Sequence, residues 1–400
     1  MMTPETPALA ERLALHYDAP SYRRVIAGKD VILHCHHYNS RLQRTIESAD
    51  LIDGKRLIVA AAEGVFAEHV GHALRAGDDL AARWAVAAML YSHLGFGRLD
   101  FSRVAEGVVV GSASHFVEGW IAGLGRPDRM VCSFAEGYIQ GAVHAVTGEL
   151  VHAREVECMA TGAAACRFEL VRGRAEPLVR SDKRPLEFAA KQGGQYLRSP
   201  SVDEQAILDA LVAMPIVGGE DGLIPAFGVY LASMPADFYN RICIGFVEEM
   251  RRVGRGTTAE RLLIADAENC GMNTFRGIMG SAEWDGMIAP MLRAPDDALF
   301  AVIAISNAFG WGNWHITSLE SGRTATLESL NGYEALGVRE LRGSAAAPQC
   351  YMLTGVAAGI LELIYGEGAL SERFGTFHAV EEGCIGCGAP SCRFRVERFE

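Results

Sequence analysis

The stretch REVECMATGAAACRF, residues 154–168, returns near the other end of the chain as VEEGCIGCGAPSCRF, residues 380–394. Both read Glu-x-x-Cys-x7-Cys-Arg-Phe. Working outward from this pair, further matches fall into line. Tyr38-Asn39 matches Tyr239-Asn240 at an offset of 201, Glu63 matches Glu268 at 205, and Phe96 matches Phe309 at 213. Cys132 pairs with Cys350 at 218, and Glu155, Cys158 and Cys166 pair with Glu381, Cys384 and Cys392 at 226. The offset only rises, as it does when a second copy carries longer loops; chance matches scatter. The chain therefore reads as a tandem repeat. The first copy covers 1–170, a basic, proline-containing linker covers 171–200, and a diverged second copy covers 201–400.

Composition narrows the class. Of the 400 residues, 50% are hydrophobic and 22% charged, the profile of a well-packed globular protein, and the length suits two domains. A net charge of -12 argues against nucleic acid or an anionic membrane surface as the main partner. The N-terminus MMTPETPALAERLALHYD carries acids and lacks an apolar core, so it does not read as a signal peptide. No apolar run approaches the roughly 18 residues of a spanning helix. The expectation is a cytoplasmic protein whose ten cysteines stay reduced. Cys35, Cys243 and Cys270 stand alone in apolar surroundings and read as small core residues.

Each copy reads as mixed α and β, an α+β fold with a sheet, packed helices and a terminal thiol turn. KDVILHCHH is a β-rich run, and Asn39 is placed to cap the helix after it. A helix is predicted over 58–75, with Val59, Glu63, Phe66, Val70 and Leu74 on one side and Glu68, His72 and Arg75 opposite. RVAEGVVVGSASHFVEGW reads as a strand leading into a helix, and FAEGYIQGAVHAVTG as a helix with a glycine stop. Ser201 and Glu204 form a capping-box pattern opening the second copy.

Thiolate, imidazole and carboxylate are the ligands zinc takes in a tetrahedron. Cys158 and Cys166 supply two and Glu155 lies just upstream; Cys132 is the other cysteine near in sequence. The second set is Cys350, Glu381, Cys384 and Cys392, with Cys387 an extra thiol, so that Cys350 and Cys387 compete for the last place. The segment VCSFAEGYIQGAVHAVTGELVHAREVECMATGAAACRFEL, residues 131–170, resembles the C-terminal part of the 4-vinyl-reductase domain. It resembles even more closely the related aromatic-sensor domain of xylene- and phenol-responsive transcriptional regulators. The resemblance covers about 20–170 and, more weakly, 215–398. It implies a structural zinc held by Cys132, Glu155, Cys158 and Cys166, beside a buried pocket for a small aromatic molecule. Repeated in the second copy, it implies two structural zinc sites.

Function is less determined. No Gly-rich loop with Lys-Ser/Thr appears, and no recognition helix has room after the second thiol motif, so a complete transcriptional activator is not expected. Serine-triad and nucleophile-elbow signatures are absent; Ser112, Ser114 and His115 read as strand and helix-start residues. Ten of the twelve histidines precede residue 153. HCHHYN supplies His34, His36 and His37, where the second copy has Pro235, Asp237 and Phe238. If that strand's face meets the helix of Glu63, two imidazoles and a carboxylate converge, with His69, His93 and His115 as additions. Two readings stay open. One is a zinc-containing binding protein for a small organic molecule, with the working pocket in the first copy and the copies packed as an intrachain pseudo-dimer; a homodimer is compatible with it. The other is an enzyme using His34, His36, His37 and Glu63 around a second metal such as iron. Trp84, Trp120, Trp284, Trp311 and Trp314 are candidates for lining an aromatic pocket, though core packing is their commoner use.

Overall fold

A computed structural model describes residues 6–176, 178 and 196–399. Its strands form three antiparallel sheets, and helices pack against them, so the fold is α+β. Two of the sheets have four strands each. Gly97–Asp100, Val108–Ser114, Cys166–Arg172 and Val151–Glu157 lie side by side in that order; Trp314–Glu320, Thr324–Ser329, Cys392–Arg398 and Phe377–Gly383 repeat the arrangement. Alternation puts these sheets' cores on one face: in Val151–Glu157 the residues Val151, Ala153 and Glu155 face inward, and His152 and Arg154 face outward.

The third sheet joins the halves. Its five strands run His16–Asp18, Arg23–Ile26, Lys29–Cys35, Val229–Pro235 and Ile224–Ala226. Each half contributes a hairpin closed by a two-residue loop, Ala27-Gly28 or Phe227-Gly228, all four residues having positive φ. That conformation matches strand twist, and Gly supplies one of the two positions at no steric cost. Lys29–Cys35 pairs with Val229–Pro235 about Leu33↔Ser233. Each hairpin also reaches into the opposite half: the Leu33 N–H donates to the Phe309 carbonyl (3.0 Å), and the Ser233 N–H to that of Leu94 (2.8 Å).

Several sequence expectations are met with shifted limits. The helix over 58–75 runs from Gly54 to Ala73, with Asp53 capping it through the Arg56 N–H. Strand Val108–Ser114 leads into helix His115–Leu124, and helix Ser133–Thr147 stops at Gly148, which is left-handed.

Others are corrected. The strand of KDVILHCHH ends at Cys35, and His36 opens the helix His36–Glu47, so His34 and His36 do not share a strand face. Asn39 lies inside that helix rather than capping it; its side chain bonds His115 and Tyr239. Asp203, not Ser201, caps Glu204–Ala213, because the Ser201 hydroxyl is spent on Asp297.

Equivalent contacts also reset two offsets. Gly119 approaches Ser40 as Gly337 approaches Asn240, which places the HHYN helix at 200 rather than 201. The Phe96 N–H bonds the Tyr91 carbonyl as the Trp311 N–H bonds that of Ser306, which places Phe96 with Trp311 at 215. Matching identical letters misaligned both segments. Of the expected linker, residues 177 and 179–195 lie outside the described residues. No helix among the described residues is long and apolar enough to cross a membrane.

Candidate functional site

The thiol motifs are built the same way in both halves. A strand, Val151–Glu157 or Phe377–Gly383, delivers the glutamate and runs into a 3-10 turn starting after Cys158 or Cys384. The turn ends at a left-handed glycine, Gly162 or Gly388, and the next strand begins at the third cysteine. The remaining cysteine, Cys132 or Cys350, precedes a 15-residue helix, Ser133–Thr147 or Tyr351–Tyr365. The ligand atoms of Cys132, Glu155, Cys158 and Cys166 all lie within 4.8 Å of one another, as do those of Cys350, Glu381, Cys384 and Cys392. Cys350 therefore completes the second set, and Cys387 is left exposed in the turn. The longer gap between Cys350 and Glu381 is taken up by the short helix Leu370–Arg373 and its flanks.

The donors fit a metal ion. Sulfur–sulfur separations are 3.6 Å for Cys132–Cys166, 3.9 Å for Cys350–Cys384 and 3.7 Å for Cys350–Cys392. A tetrahedron with metal–sulfur bonds of about 2.3 Å has edges of about 3.8 Å, whereas a disulfide requires about 2.05 Å. Each carboxylate is fixed by one oxygen: Glu155 Oε2 accepts the Cys132 N–H and Glu381 Oε2 the Cys350 N–H, both at 2.9 Å. The other oxygen, Oε1, is buried in each case and makes no hydrogen bond. Burial and then the adjacent Cys158 push Glu155 up to about 8, and burial and then Cys384 do the same to Glu381. Within each set one thiol, Cys158 or Cys384, is pulled low by hydrogen bonds from the other two cysteines. Three sulfurs and a carboxylate enclosed this closely need a cation to ionise together. Support continues outward, with the Glu155 N–H donating to Glu136 (2.8 Å) and Lys55 bonding the same carboxylate (2.9 Å).

The histidines and Glu63 are not brought together. Among the described residues the two thiol–carboxylate sets are the groups of His, Cys, Asp and Glu that converge for a metal. Glu63 is buried on its helix, but Arg174 reaches it with both guanidinium nitrogens and also bonds Gln140 (2.8 Å). These three, with Glu136, Lys55, Arg56 and His152, line a separate cleft. His34 is sandwiched between Tyr38 and Trp311, its ring centroid 4.7 and 4.8 Å from theirs, with Tyr239 edge-on at 4.9 Å. Burial lowers it to about 3, and neither ring nitrogen makes a hydrogen bond. His36 stacks near His37 (3.9 Å between centroids) and accepts from the Tyr230 N–H at 3.2 Å; burial and then His37 lower it to about 3. Of the additions, His115 bonds Asn39 (2.8 Å) and His69 bonds the Ile26 carbonyl (2.9 Å), both as buried structural groups, while His93 is a partly buried residue near the end of helix Leu80–His93. Trp84 stacks on Phe101 and Trp314 on Phe394; Trp120 meets Arg129, and Trp284 is buried.

His37 has a different exposure. With Cys35, Tyr38, Ser40 and Arg41 it lines a pocket of about 240 Å³, closed on the other side by Asn269, Cys270 and Asn273 of the second half. Burial and then Arg41 lower the His37 pKa, so its imidazole is neutral at pH 7. Sequence reasoning missed the second-half wall, because Asn269, Cys270 and Asn273 sit in a long helix with no local motif.

Comparison with known proteins bears on the first half. The family model of the 4-vinyl-reductase domain matches residues 120–172, which contain all four residues of the first thiol set. Among solved structures, the chain is similar to the phenol-responsive sensory domain of the transcription activator PoxR with phenol. The identity is 19% over 42% of this chain and 90% of that one, with a TM-score of 0.35. No curated protein matches the chain.

Proposed function

We propose that the chain is a tandem pair of vinyl-reductase-like domains that binds a small aromatic or other apolar organic molecule, with a structural zinc in each half. The domains are 1–170 and 201–400, joined by 171–200 and packed as an intrachain pseudo-dimer. Zinc is the ion chosen because three thiolates and one carboxylate with tetrahedral edges suit it, and because no ligand position is left open for chemistry. The resemblance of residues 131–170 to aromatic-sensor domains gives the ligand class.

The pocket beside the histidine run carries the binding reading. Its volume of about 240 Å³ accommodates one small ring. Tyr38 and the Cys35–Cys270 floor offer it weakly polar surface, and neutral His37 accepts a hydroxyl proton. His34 and His36 shape the segment from behind rather than touching the ligand. The enzyme reading through Glu63 has less support, since that carboxylate is already engaged by Arg174. Calorimetric titration with phenol and its methylated relatives tests the proposal. Saturable binding by the wild type, lost in His37→Ala with zinc content unchanged, is the expected result. Equal binding by the variant refutes the pocket assignment.

A further inference from the structure

Cys35 and Cys270 stand 235 residues apart in sequence and belong to different halves, yet their sulfurs meet on the floor of the same pocket. The Thr274 hydroxyl lies between them, 3.1 Å from Cys35 Sγ and 3.4 Å from Cys270 Sγ, and the two thiols are themselves in hydrogen-bonding contact. Cys35 is the N-cap of the 12-residue helix His36–Glu47, where the first amides and the positive end of the dipole favour an anion. We propose that this pair is a redox site: Cys35 reacts with a small hydroperoxide entering the pocket, and Cys270 resolves the product into a disulfide joining the two halves.

The two thiols are poised differently. Hydrogen bonding from Cys270, helped by Thr274 and the Tyr38 and His37 amides, holds Cys35 down to about 7 despite its burial. Burial instead drives Cys270 well above the ordinary thiol value. One member is therefore a ready nucleophile and the other a retained proton donor. In the first step the Cys35 thiolate attacks the peroxide oxygen. An S–O bond forms, the O–O bond breaks, and the leaving hydroxide or alkoxide takes a proton to leave as water or alcohol. In the second, Cys270 sulfur displaces oxygen from the Cys35 sulfenic acid, the S–S bond forms, and the hydroxyl departs with the Cys270 proton as water. Two electrons pass from the sulfur pair to the peroxide, and a dithiol reductant reverses the change. The proposal is independent of ligand binding, because it needs only the pocket as an entrance. The six clustered cysteines are already committed to the thiol–carboxylate sets.

The test uses the full-length, zinc-loaded protein. It is exposed to hydrogen peroxide, alkylated and digested without reduction, and zinc release is followed in the same samples. The expected result is a peptide pair linked through Cys35 and Cys270 that forms before zinc is lost and disappears on dithiothreitol treatment. In Cys270→Ser the link cannot form, and a dimedone adduct accumulates on Cys35 instead. Finding both cysteines still alkylated in oxidised wild-type protein that retains its zinc overturns the proposal. The wild-type map decides it even if the variant fails to fold.

Discussion

At the scale of single residues, what could be read from sequence depended on whether partners were near in the chain. Glu155, Cys158 and Cys166 are legible because metal ligation imposes a spacing that survives divergence, and the structure brings them together with Cys132. The Cys35–Cys270 contact left no such trace, since each cysteine alone looks like a core residue. Glu63 misled for a related reason: a buried carboxylate needs a partner, and the partner is Arg174 rather than a histidine. For the thiol sets the consequence is direct. Structural zinc contributes on the order of 10 kcal/mol in small zinc domains, so losing one ligand uncouples metal from fold. Cys158→Ser and Cys384→Ser should each lose about one zinc per chain and melt well below the wild type, with Cys387→Ser unchanged in both. Atomic absorption and calorimetry provide the check, and retention of full zinc by Cys158→Ser or Cys384→Ser counts against the assignment.

At the scale of elements, the helices were readable from their 3.6-residue pattern, but their packing was not. Ser133–Thr147 lies on Gly54–Ala73 through Gly137 and Gly141, and Tyr351–Tyr365 lies on Gly256–Met279 through Gly355 and Gly359. A Cβ at Gly141 would sit 2.6 Å from the Glu63 carbonyl oxygen and 2.7 Å from the Ala67 nitrogen. Both are backbone atoms, which cannot move aside cheaply. Gly71, on the partner helix, has nothing within 4 Å. Glycine to alanine inside a helix normally stabilises by about 1 kcal/mol, whereas forcing a methyl into packed backbone costs about 1–3 kcal/mol. The same substitution should therefore have opposite signs at two sites in one helix pair. Gly71→Ala should raise the urea midpoint and Gly141→Ala should lower it; a shift in the same direction for both would show that the close crossing does not govern packing. Sequence shows the Gly-x3-Gly spacing here but not which neighbour it admits.

At the scale of the whole molecule, the two halves exchange structure as well as touch. Arg23 and Arg24, both buried on the first hairpin, donate to the carbonyls of Gly310 and Ala308 at 2.8 and 3.0 Å, and the Trp311 indole donates to the Leu33 carbonyl at 2.8 Å. In the other direction the Gly97 N–H bonds the Gly222 carbonyl at 2.9 Å, and Tyr239 bonds Asn39. Separating the halves would strip the Lys29–Cys35 and Val229–Pro235 edges of their ladder and leave both arginines buried without acceptors, costs of several kcal/mol each. The repeat could be seen in the sequence, but this interlocking could not, because strand pairing between distant segments has no local signature. A protease site inserted between residues 179 and 195 permits a decisive test in otherwise intact protein. After cleavage the two pieces should still elute as one species of unchanged size at moderate salt and melt in a single transition. If they part on gel filtration without denaturant, the sheet that joins them does not hold the molecule together.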